Sequence, residues 1–248
     1  REIAFLNKGV RLIFEDKRDE SEIEFKYDGG IKEFVEYLNR NKTPIFKEVP
    51  YFEGRQESTE IEISFQYTDG YSENILTFAN NIYTLEGGTH LSGFRSALTR
   101  SVNDYARKYN LLKENEDNLQ GDDAREGITA IISVKISNPQ FEGQTKGKLG
   151  NSEVRGAVDA FFSEHMGNFL EENPKIAKSI IQKALASRRA REAARKARDL
   201  TRKRSILDST TLPGKLADCQ SQDIGENEIF IVEGNSAGGS AKGGRDNR

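Results

Sequence analysis

The sequence predicts an α+β fold in which strands and helices mix up to about residue 170, followed by one long helix and the first strand of another domain. Three observations indicate this. Residues 61–67 alternate apolar and polar side chains, which is typical of a strand with one buried face. Residues 128–136 are rich in Ile, Val and Ala, the pattern of a strand buried on both faces. Residues 174–204 contain no glycine and begin with proline, as long helices often do.

The first forty residues contain two strand patterns and one helix pattern. Residues 10–14 alternate weakly, and residues 23–27 alternate apolar with polar side chains, so we expect a strand in each. A turn follows at residues 28–30. After it, apolar side chains recur at helical spacing, at Ile31, Phe34, Val35 and Leu38.

The strand predicted at residues 61–67 is followed by the turn sequence Thr68-Asp69-Gly70. Because such turns commonly join neighbouring antiparallel strands, we expect residues 74–80 to return as its paired strand. Gly87-Gly88-Thr89 then opens a helix whose apolar positions are Phe94, Leu98, Val102 and Tyr105. The charged residues 110–126 that follow are predicted to be a surface excursion.

The second half of the chain reads as strand, loop and two helices. Residues 138–151 after the buried strand hold three glycines in fourteen positions, which predicts a long flexible loop. Ser152 is expected to cap a helix running through Phe161 and Phe162. Asn173 and Pro174 form a typical helix start, and a helix from there to about residue 204 would be about 45 Å long.

The sequence near the end of the chain predicts a buried strand that is followed directly by a carboxylate. Residues 229–232 form a continuous apolar run, which ends abruptly in Glu233 and Gly234. Ligands and catalytic groups lie at this position in open α/β sheets, at the carboxyl end of a strand.

The charge distribution indicates a polyanionic partner that the net charge of −3 hides. Between residues 174 and 204 there are 12 Lys or Arg and two acids, a balance of +10, so the remaining residues carry −13. The cations predicted to contact DNA are Arg188, Arg189, Arg191, Arg195, Arg198 and Arg202. The alternative is a solvated helix face, the commoner meaning of a charge run.

Other features of composition exclude several classes of protein. The single cysteine, Cys219, excludes an internal disulfide framework and fits a reducing compartment. There is no apolar run of about 18 residues, so no membrane span is expected. No signal peptide is evident, and the predicted location is the cytoplasm. Two histidines are too few and too isolated for a zinc site.

Several phrases resemble the gyrase B branch of the bacterial type IIA topoisomerases. Residues 233–239, Glu-Gly-Asn-Ser-Ala-Gly-Gly, are similar to the opening motif of the family's Toprim domain, Glu-Gly-Asp-Ser-Ala-Gly-Gly. Leu-Pro-Gly-Lys-Leu-Ala-Asp-Cys at residues 212–219 looks like the gyrase version. The same order of phrases continues upstream, at residues 27–31, 83–90, 125–130, 141–146 and 149–154.

This resemblance implies a division of the chain into four parts. Residues 1–15 would be the tail of a GHKL-type ATP-binding domain, and residues 16–172 the transducer domain. The transducer is an α/β sandwich with a mixed sheet and a left-handed βαβ crossover. Residues 173–208 would be the long basic helix, and residues 209–248 the truncated start of the Toprim domain.

The resemblance also implies a nucleotide-sensing loop. Gln144 and Lys146 would reach into a neighbouring ATP site and contact the γ-phosphate. A lysine ammonium is a mobile point charge suited to a phosphate, and Gly143 and Gly147 would let the loop move. Without the resemblance, the sequence Gln-Thr-Lys at residues 144–146 would more often be part of a solvated loop.

For Glu233 the resemblance implies a catalytic role as a Mg²⁺ ligand, completed by an Asp-x-Asp motif that lies downstream in the family. Mg²⁺ suits carboxylate and phosphate oxygens. A lone carboxylate after a strand is otherwise usually a solvated cap. Asn235 departs from the family's Asp and removes one negative charge beside this site.

The function implied is that of a fragment of the ATPase component of an ATP-dependent type IIA topoisomerase, coupling ATP binding and hydrolysis to DNA strand passage and negative supercoiling. ATP and Mg²⁺ would be its cofactors. Its partners would be DNA, gyrase A and a second copy of gyrase B, in a heterotetramer of two gyrase A and two gyrase B chains. Alternatives are the equivalent component of topoisomerase IV, which decatenates, and a non-catalytic coupling and DNA-binding module. We expect the chain alone to hydrolyse no ATP and cleave no DNA.

Overall fold

A computed structural model describes residues 1–209, 225 and 228–244, which form two compact units, residues 1–190 and 191–248. The described strands are β1 (Arg11–Asp16), β2 (Ser21–Lys26), β3 (Tyr51–Gln56), β4 (Thr59–Tyr67), β5 (Asn74–Ala79), β6 (Ile82–Tyr83), β7 (Gly87–Gly88), β8 (Ile128–Lys135), β9 (Phe141–Glu142) and β10 (Lys148–Leu149). The described helices are α1 (Glu2–Leu6), α2 (Gly30–Asn39), α3 (Thr89–Lys108), α4 (Gly121–Arg125), α5 (Ser152–Glu172), α6 (Pro174–Ser209) and α7 (Gly234–Gly244).

Strand β8 lies at the centre of a five-stranded mixed sheet with the order β3-β4-β8-β5-β6. The predicted burial of this strand is confirmed, because every residue from Ile128 to Val134 is buried. Ile128, Ala130 and Ile132 enter the larger apolar cluster, and Ile131 enters a second one. Helices therefore cover both faces of the sheet, as a continuous apolar strand requires.

The predicted hairpin between β4 and β5 is wrong, because β8 lies between them. Strand β8 pairs antiparallel with β4 and parallel with β5, so that Ala130 is opposite both Phe65 and Ile75. After β4 the chain bends at residues 69–70, and Thr68 donates its backbone N–H to Gly127 O at 2.9 Å, next to the start of β8. The most apolar strand takes the central position, where both of its edges are paired and helices cover both of its faces.

Strand β4 is present as predicted, but it is more buried than a strand with one polar face. Its polar residues Ser64 and Gln66 are buried as well as its apolar ones. Ser64 Oγ donates to Pro50 O at 2.8 Å, and Gln66 Oε1 accepts from Asn39 Nδ2 at 3.0 Å. Helix α2 and the segment before β3 thus cover the second face, and they satisfy its polar groups.

Two helical layers enclose the sheet and confirm a mixed α/β sandwich. On one face α3 packs against α5, where the rings of Phe94 and Phe162 lie 4.6 Å apart. A Cβ on Gly93 would lie 2.5 Å from Arg155 O, so glycine permits this close approach of the two helices. On the other face the rings of Phe5 and Phe34 stack at 4.5 Å and join α1 to α2.

Helix α6 begins at Pro174 as predicted, directly after α5, and it ends at Ser209, beyond the end near residue 204 that composition predicts. Asn173 separates the two helices, and its backbone O accepts from Ala177 N at 2.9 Å. The first turns of α6 complete the larger cluster with Ala177, Ile180, Ile181 and Ala184.

Residues 110–126 are less exposed to solvent than their charged composition predicts. Leu112 and Leu119 are buried, and the short helix α4 carries a capping box between Gln120 and Asp123. Asn103 fixes the segment from α3, since its Oδ1 accepts from Leu119 N at 2.8 Å. Charge marks the outer side of the segment, whereas the two leucines supply its inner side.

The N-terminal strands are confirmed as the antiparallel hairpin β1–β2, which forms a sheet of its own. Large apolar side chains on the hairpin remain exposed, at Ile13, Phe14 and Ile23. The hairpin is therefore a two-stranded sheet with an open apolar surface.

The strand predicted at residues 229–232 is not formed. Residues 228–232 have no regular structure, and Ile229, Phe230 and Ile231 are largely exposed. A strand needs a hydrogen-bonding neighbour, and within the described part of residues 191–248 there is no other strand to supply one. Apolar composition alone therefore does not make a strand here.

Candidate functional site

The loop that carries Gln144 and Lys146 projects from a small three-stranded sheet. Strands β9 and β10 pair antiparallel at its base. Its tip is a turn in which Lys146 N donates to Gly143 O at 3.4 Å, with φ of 77° at Gly143 and 56° at Lys146. The side chains of Gln144 and Lys146 are exposed. The predicted flexible loop is thus a hairpin with a defined base.

The base of this loop is joined to the start of α3. Strand β10 pairs in parallel with β7, placing Leu149 opposite Gly88, and Glu86 N donates to Gly147 O at 2.9 Å. Gly88 has a φ of 138°, and a Cβ on it would lie 2.3 Å from Leu149 O. The two consecutive glycines therefore let β10 approach closely.

Lys146 differs from its neighbour Lys148 in its electrostatic surroundings. Lys148 Nζ forms an ion pair with Glu142 at 2.9 Å. Lys146 forms no ion pair with any residue that the structure describes. An exposed ammonium group at a loop tip is available to an anion that approaches from outside, and Lys146 supplies such a group.

Sequence reasoning missed the buried polar cluster behind the loop. His90 Nε2 lies 3.1 Å from Thr84 Oγ1, and Thr84 Oγ1 also donates to Thr77 O at 2.9 Å. Burial lowers the pKa of His90 to about 4, so the imidazole is neutral at pH 7. The available signal was a histidine two positions after the double glycine, at the start of a helix.

Asn151 is the second residue that sequence reasoning missed. It is 3% exposed and lies at the end of the loop, before α5. An asparagine in front of a helix is a recognised capping pattern. Here, however, its side chain makes no capping bond to α5.

The six predicted DNA-binding arginines lie along α6 in different environments. Arg188 is buried, and its guanidinium group donates to Glu116 Oε1 at 2.8 Å and to Asp117 O at 3.0 Å. The backbone N–H of Lys113 and then Arg188 lower the pKa of Glu116. Arg191 is half-buried. The exposed members are Arg189, Arg195, Arg198 and Arg202.

The first turns of α6 are fixed to the segment around Gly127. Ser187 Oγ donates to Glu126 Oε2 at 2.7 Å, and Lys183 Nζ donates to Asp69 O at 3.3 Å. Gly127 has a φ of 75°, and a Cβ on it would lie 2.6 Å from Gly70 O. This close packing holds one end of the arginine-bearing helix in place.

Glu233 directly precedes α7 and is exposed. No group of three His, Cys, Asp or Glu side chains lies together among the described residues. Within that part of the chain, Glu233 therefore lacks the further carboxylates that a Mg²⁺ site needs. Residues 212–219 lie outside the described residues, as does the side chain of Asn235.

The predicted site residues thus fall into separate groups. Gln144 and Lys146 share one loop in the unit formed by residues 1–190, and Arg188 and Arg189 lie in that unit on α6. Glu233 belongs to the unit formed by residues 191–248.

No helix in the described parts of the chain is long and apolar enough to cross a bilayer.

Comparison with known proteins gives consistent matches. The family described as DNA gyrase B matches residues 30–200. The DNA gyrase B protein of Clostridium acetobutylicum is 61% identical, with 100% of this chain and 39% of that protein covered. The DNA gyrase B protein of Halalkalibacterium halodurans is 58% identical, with 99% and 39% covered. The chain spans about two fifths of the length of these curated relatives.

A solved structure extends the match to the fold. The crystal structure of the 43K ATPase domain of Thermus thermophilus gyrase B, in complex with an aminocoumarin, is 44% identical in sequence. The TM-score is 0.72, and the alignment covers 80% of this chain and 54% of that one. Most of this chain therefore resembles about half of that ATPase domain.

Proposed function

The chain belongs to the DNA gyrase B family, and we propose that it is part of the ATPase component of DNA gyrase, an ATP-dependent type IIA topoisomerase. In that role it couples ATP binding and hydrolysis to DNA strand passage and negative supercoiling. Family membership and the likeness to a solved ATPase domain support the proposal. The observation that carries it is the anchored loop that presents Gln144 and a Lys146 with no ion pair among the described residues.

We also propose the four-part division of the chain that its motifs imply. Residues 1–15 are the tail of the ATP-binding domain, residues 16–172 the transducer with its left-handed crossover, residues 173–208 the connecting helix, and residues 209–248 the start of Toprim. The mixed sheet with β5 and β8 parallel supports the transducer assignment. The exposed apolar side chains of β1–β2 are suited to packing against a neighbouring domain.

The loop acts as a sensor of the γ-phosphate of ATP. The Lys146 ammonium group supplies positive charge, and the Gln144 amide donates a hydrogen bond. Because the contact needs the γ-phosphate, hydrolysis and phosphate release end it. The base of the loop stays fixed by β7 and β10, so the loop tip is presented in a defined direction.

DNA contacts are proposed for the arginine-bearing helix. Arg189, Arg195, Arg198 and Arg202 present exposed cations to phosphates in a sequence-independent and salt-sensitive manner. Arg188 holds the helix to the 113–117 segment through Glu116. It therefore supports the helix rather than offering an exposed cation.

Glu233 is proposed as one Mg²⁺ ligand of the complete protein, with its other ligands outside the described residues. The proposed partners are DNA, gyrase A and a second copy of gyrase B, in a heterotetramer of two gyrase A and two gyrase B chains. The cytoplasm is the proposed location, since the bacterial DNA substrate is there. Topoisomerase IV is the less favoured alternative, because the curated relatives described above are gyrases.

Replacing Lys146 by alanine in the complete protein tests the proposed function. Lys146→Ala should lower ATP turnover by about a hundredfold or more while affecting ATP binding far less, because the charge acts on the group being transferred. Gln144→Ala should act in the same direction but more weakly. Lys148→Ala is the matched control, since its ammonium group is already paired with Glu142, and it should leave turnover within about twofold. Normal turnover in Lys146→Ala would refute the role of the loop.

A further inference from the structure

Asn151 makes a set of hydrogen bonds that joins the two ends of the loop. Its Oδ1 accepts from Gln140 N at 2.6 Å, and Gln140 directly precedes β9, the strand that enters the loop. Its Nδ2 donates to Asn138 O at 3.1 Å. Beside it, Gly150 N donates to Gln140 O at 2.8 Å. The incoming and outgoing chains are thus fixed to each other by one buried amide.

The same side chain also reaches the first turn of α5. Asn151 Nδ2 donates to Glu153 Oε1 at 2.7 Å, and this bond is the main cause of the lowered pKa of Glu153. One residue further on, Val154 is fully buried in the larger apolar cluster. The amide therefore connects the loop to a helix that is fixed in the core.

A buried amide with this bonding pattern can fix the direction of the loop. Both Nδ2 hydrogens and Oδ1 are used, and an amide is the one neutral side-chain group that both donates twice and accepts at such a site. The side chain of Asn151 accepts no capping hydrogen bond from the backbone N–H groups of α5. Hydrogen bonds of this kind stabilise a fold wherever they occur. Because Asn151 lies where the loop meets α5, its bonds also fix the direction of the loop.

We propose that Asn151 is a positioning residue, which holds the loop so that Lys146 reaches the nucleotide phosphate. The proposal rests on the proposed function of the loop. The side chain of Asn151 bonds to Gln140, Asn138 and Glu153 and not to Lys146, so it acts through the loop backbone. Without the amide, only backbone pairing holds the two ends of the loop, so the loop direction varies more and the ammonium group occupies the productive position less often.

The test is a double-mutant cycle in the complete B-type protein assembled with its A-type partner. Single-turnover ATP hydrolysis keeps slow variants measurable. Asn151→Ala in the wild-type background should lower the rate by about tenfold. In the Lys146→Ala background it should lower the rate by less than about twofold, since the group it positions is gone. A merely structural role would give equal losses in both backgrounds.

Asn173→Ala is the matched control. Asn173 lies at the other end of α5, and its Nδ2 donates to Phe169 O at 3.0 Å. It should leave the rate unchanged in both backgrounds. Asn151→Ser, which keeps an acceptor and one donor, should lie between Asn151→Ala and the wild type, and it replaces Asn151→Ala if that variant does not fold.

The outcomes separate the two proposals. If Lys146→Ala is impaired but Asn151→Ala is normal, or equally harmful in both backgrounds, the positioning role is overturned and the loop function stands. If Lys146→Ala turns over normally, the loop function and the positioning role fail together. A large loss in the wild-type background that disappears with Lys146→Ala supports the positioning role.

Discussion

Gly88 has a backbone conformation that glycine adopts with less strain than any other residue. Its missing side chain also leaves room for β10. With φ at 138° and a Cβ placed 2.3 Å from Leu149 O, Gly88→Ala should lower the free energy of unfolding by about 3 kcal/mol or more. Urea unfolding measures this. In Gly156→Ala, a glycine on α5 with open space around it, stability should rise by about 0.5–1 kcal/mol. Equal effects of the two substitutions would contradict the role of close approach.

His90 should make the stability depend on pH. Its pKa is about 4 in the fold and about 6.5 when unfolded, so below pH 6.5 the unfolded chain binds a proton that the fold excludes. Stability attributable to His90 therefore falls as the pH decreases from 6.5 towards 4, by about 2 kcal/mol between pH 7 and 5. In His90→Gln this component should be absent. The check is urea unfolding across that range, and an unchanged slope in the variant would count against it.

At the scale of the element, α6 combines a structural and a surface arginine. Arg188→Ala leaves Glu116 and the Asp117 carbonyl without their partner, so stability should fall by about 2 kcal/mol. Arg195→Ala, on the exposed part of the same helix, should change stability by less than about 0.5 kcal/mol. Thermal unfolding of both variants gives the comparison, and a larger loss from Arg195→Ala would reverse the assignment.

The exposed part of the same helix should account for DNA affinity. The double substitution Arg195→Ala and Arg198→Ala removes two exposed cations and should reduce the slope of log affinity against log salt by about two. Fluorescence anisotropy with duplex DNA, from low to moderate salt, measures the slope. A slope equal to that of the wild type would show that the helix is only a solvated connector.

At the scale of the whole molecule, both apolar clusters lie within residues 1–190 among the described residues. A chain ending at Ala190 should therefore unfold cooperatively, with a stability within about 1 kcal/mol of the original. A chain ending at Glu172 also loses Ile180 and Ile181 from the larger cluster, and should lose about 4 kcal/mol or more. Circular dichroism in urea distinguishes them, and similar curves would show that α6 adds nothing to the core.

The sequence by itself determined the kind of most elements within residues 1–209, whereas the strand predicted at residues 229–232 is absent. The apolar run of β8, the helix start at Pro174, the glycine-rich loop at residues 138–151 and the basic character of α6 could be read from periodicity, capping residues, glycine content and charge. These signals are local, since each depends on residues a few positions apart along the chain. The role of Gln144 and Lys146 in that loop came from the family resemblance alone.

The tertiary structure decided which elements are in contact and which partners the buried polar side chains have. It placed β8 between β4 and β5, where the turn sequence alone predicted a hairpin. It also paired Arg188 with Glu116, and it made Asn151 the link between loop and helix. Neither the pairing of distant residues nor the covering of the polar face of β4 leaves a local pattern, because both are set by the burial of apolar surface over the whole molecule.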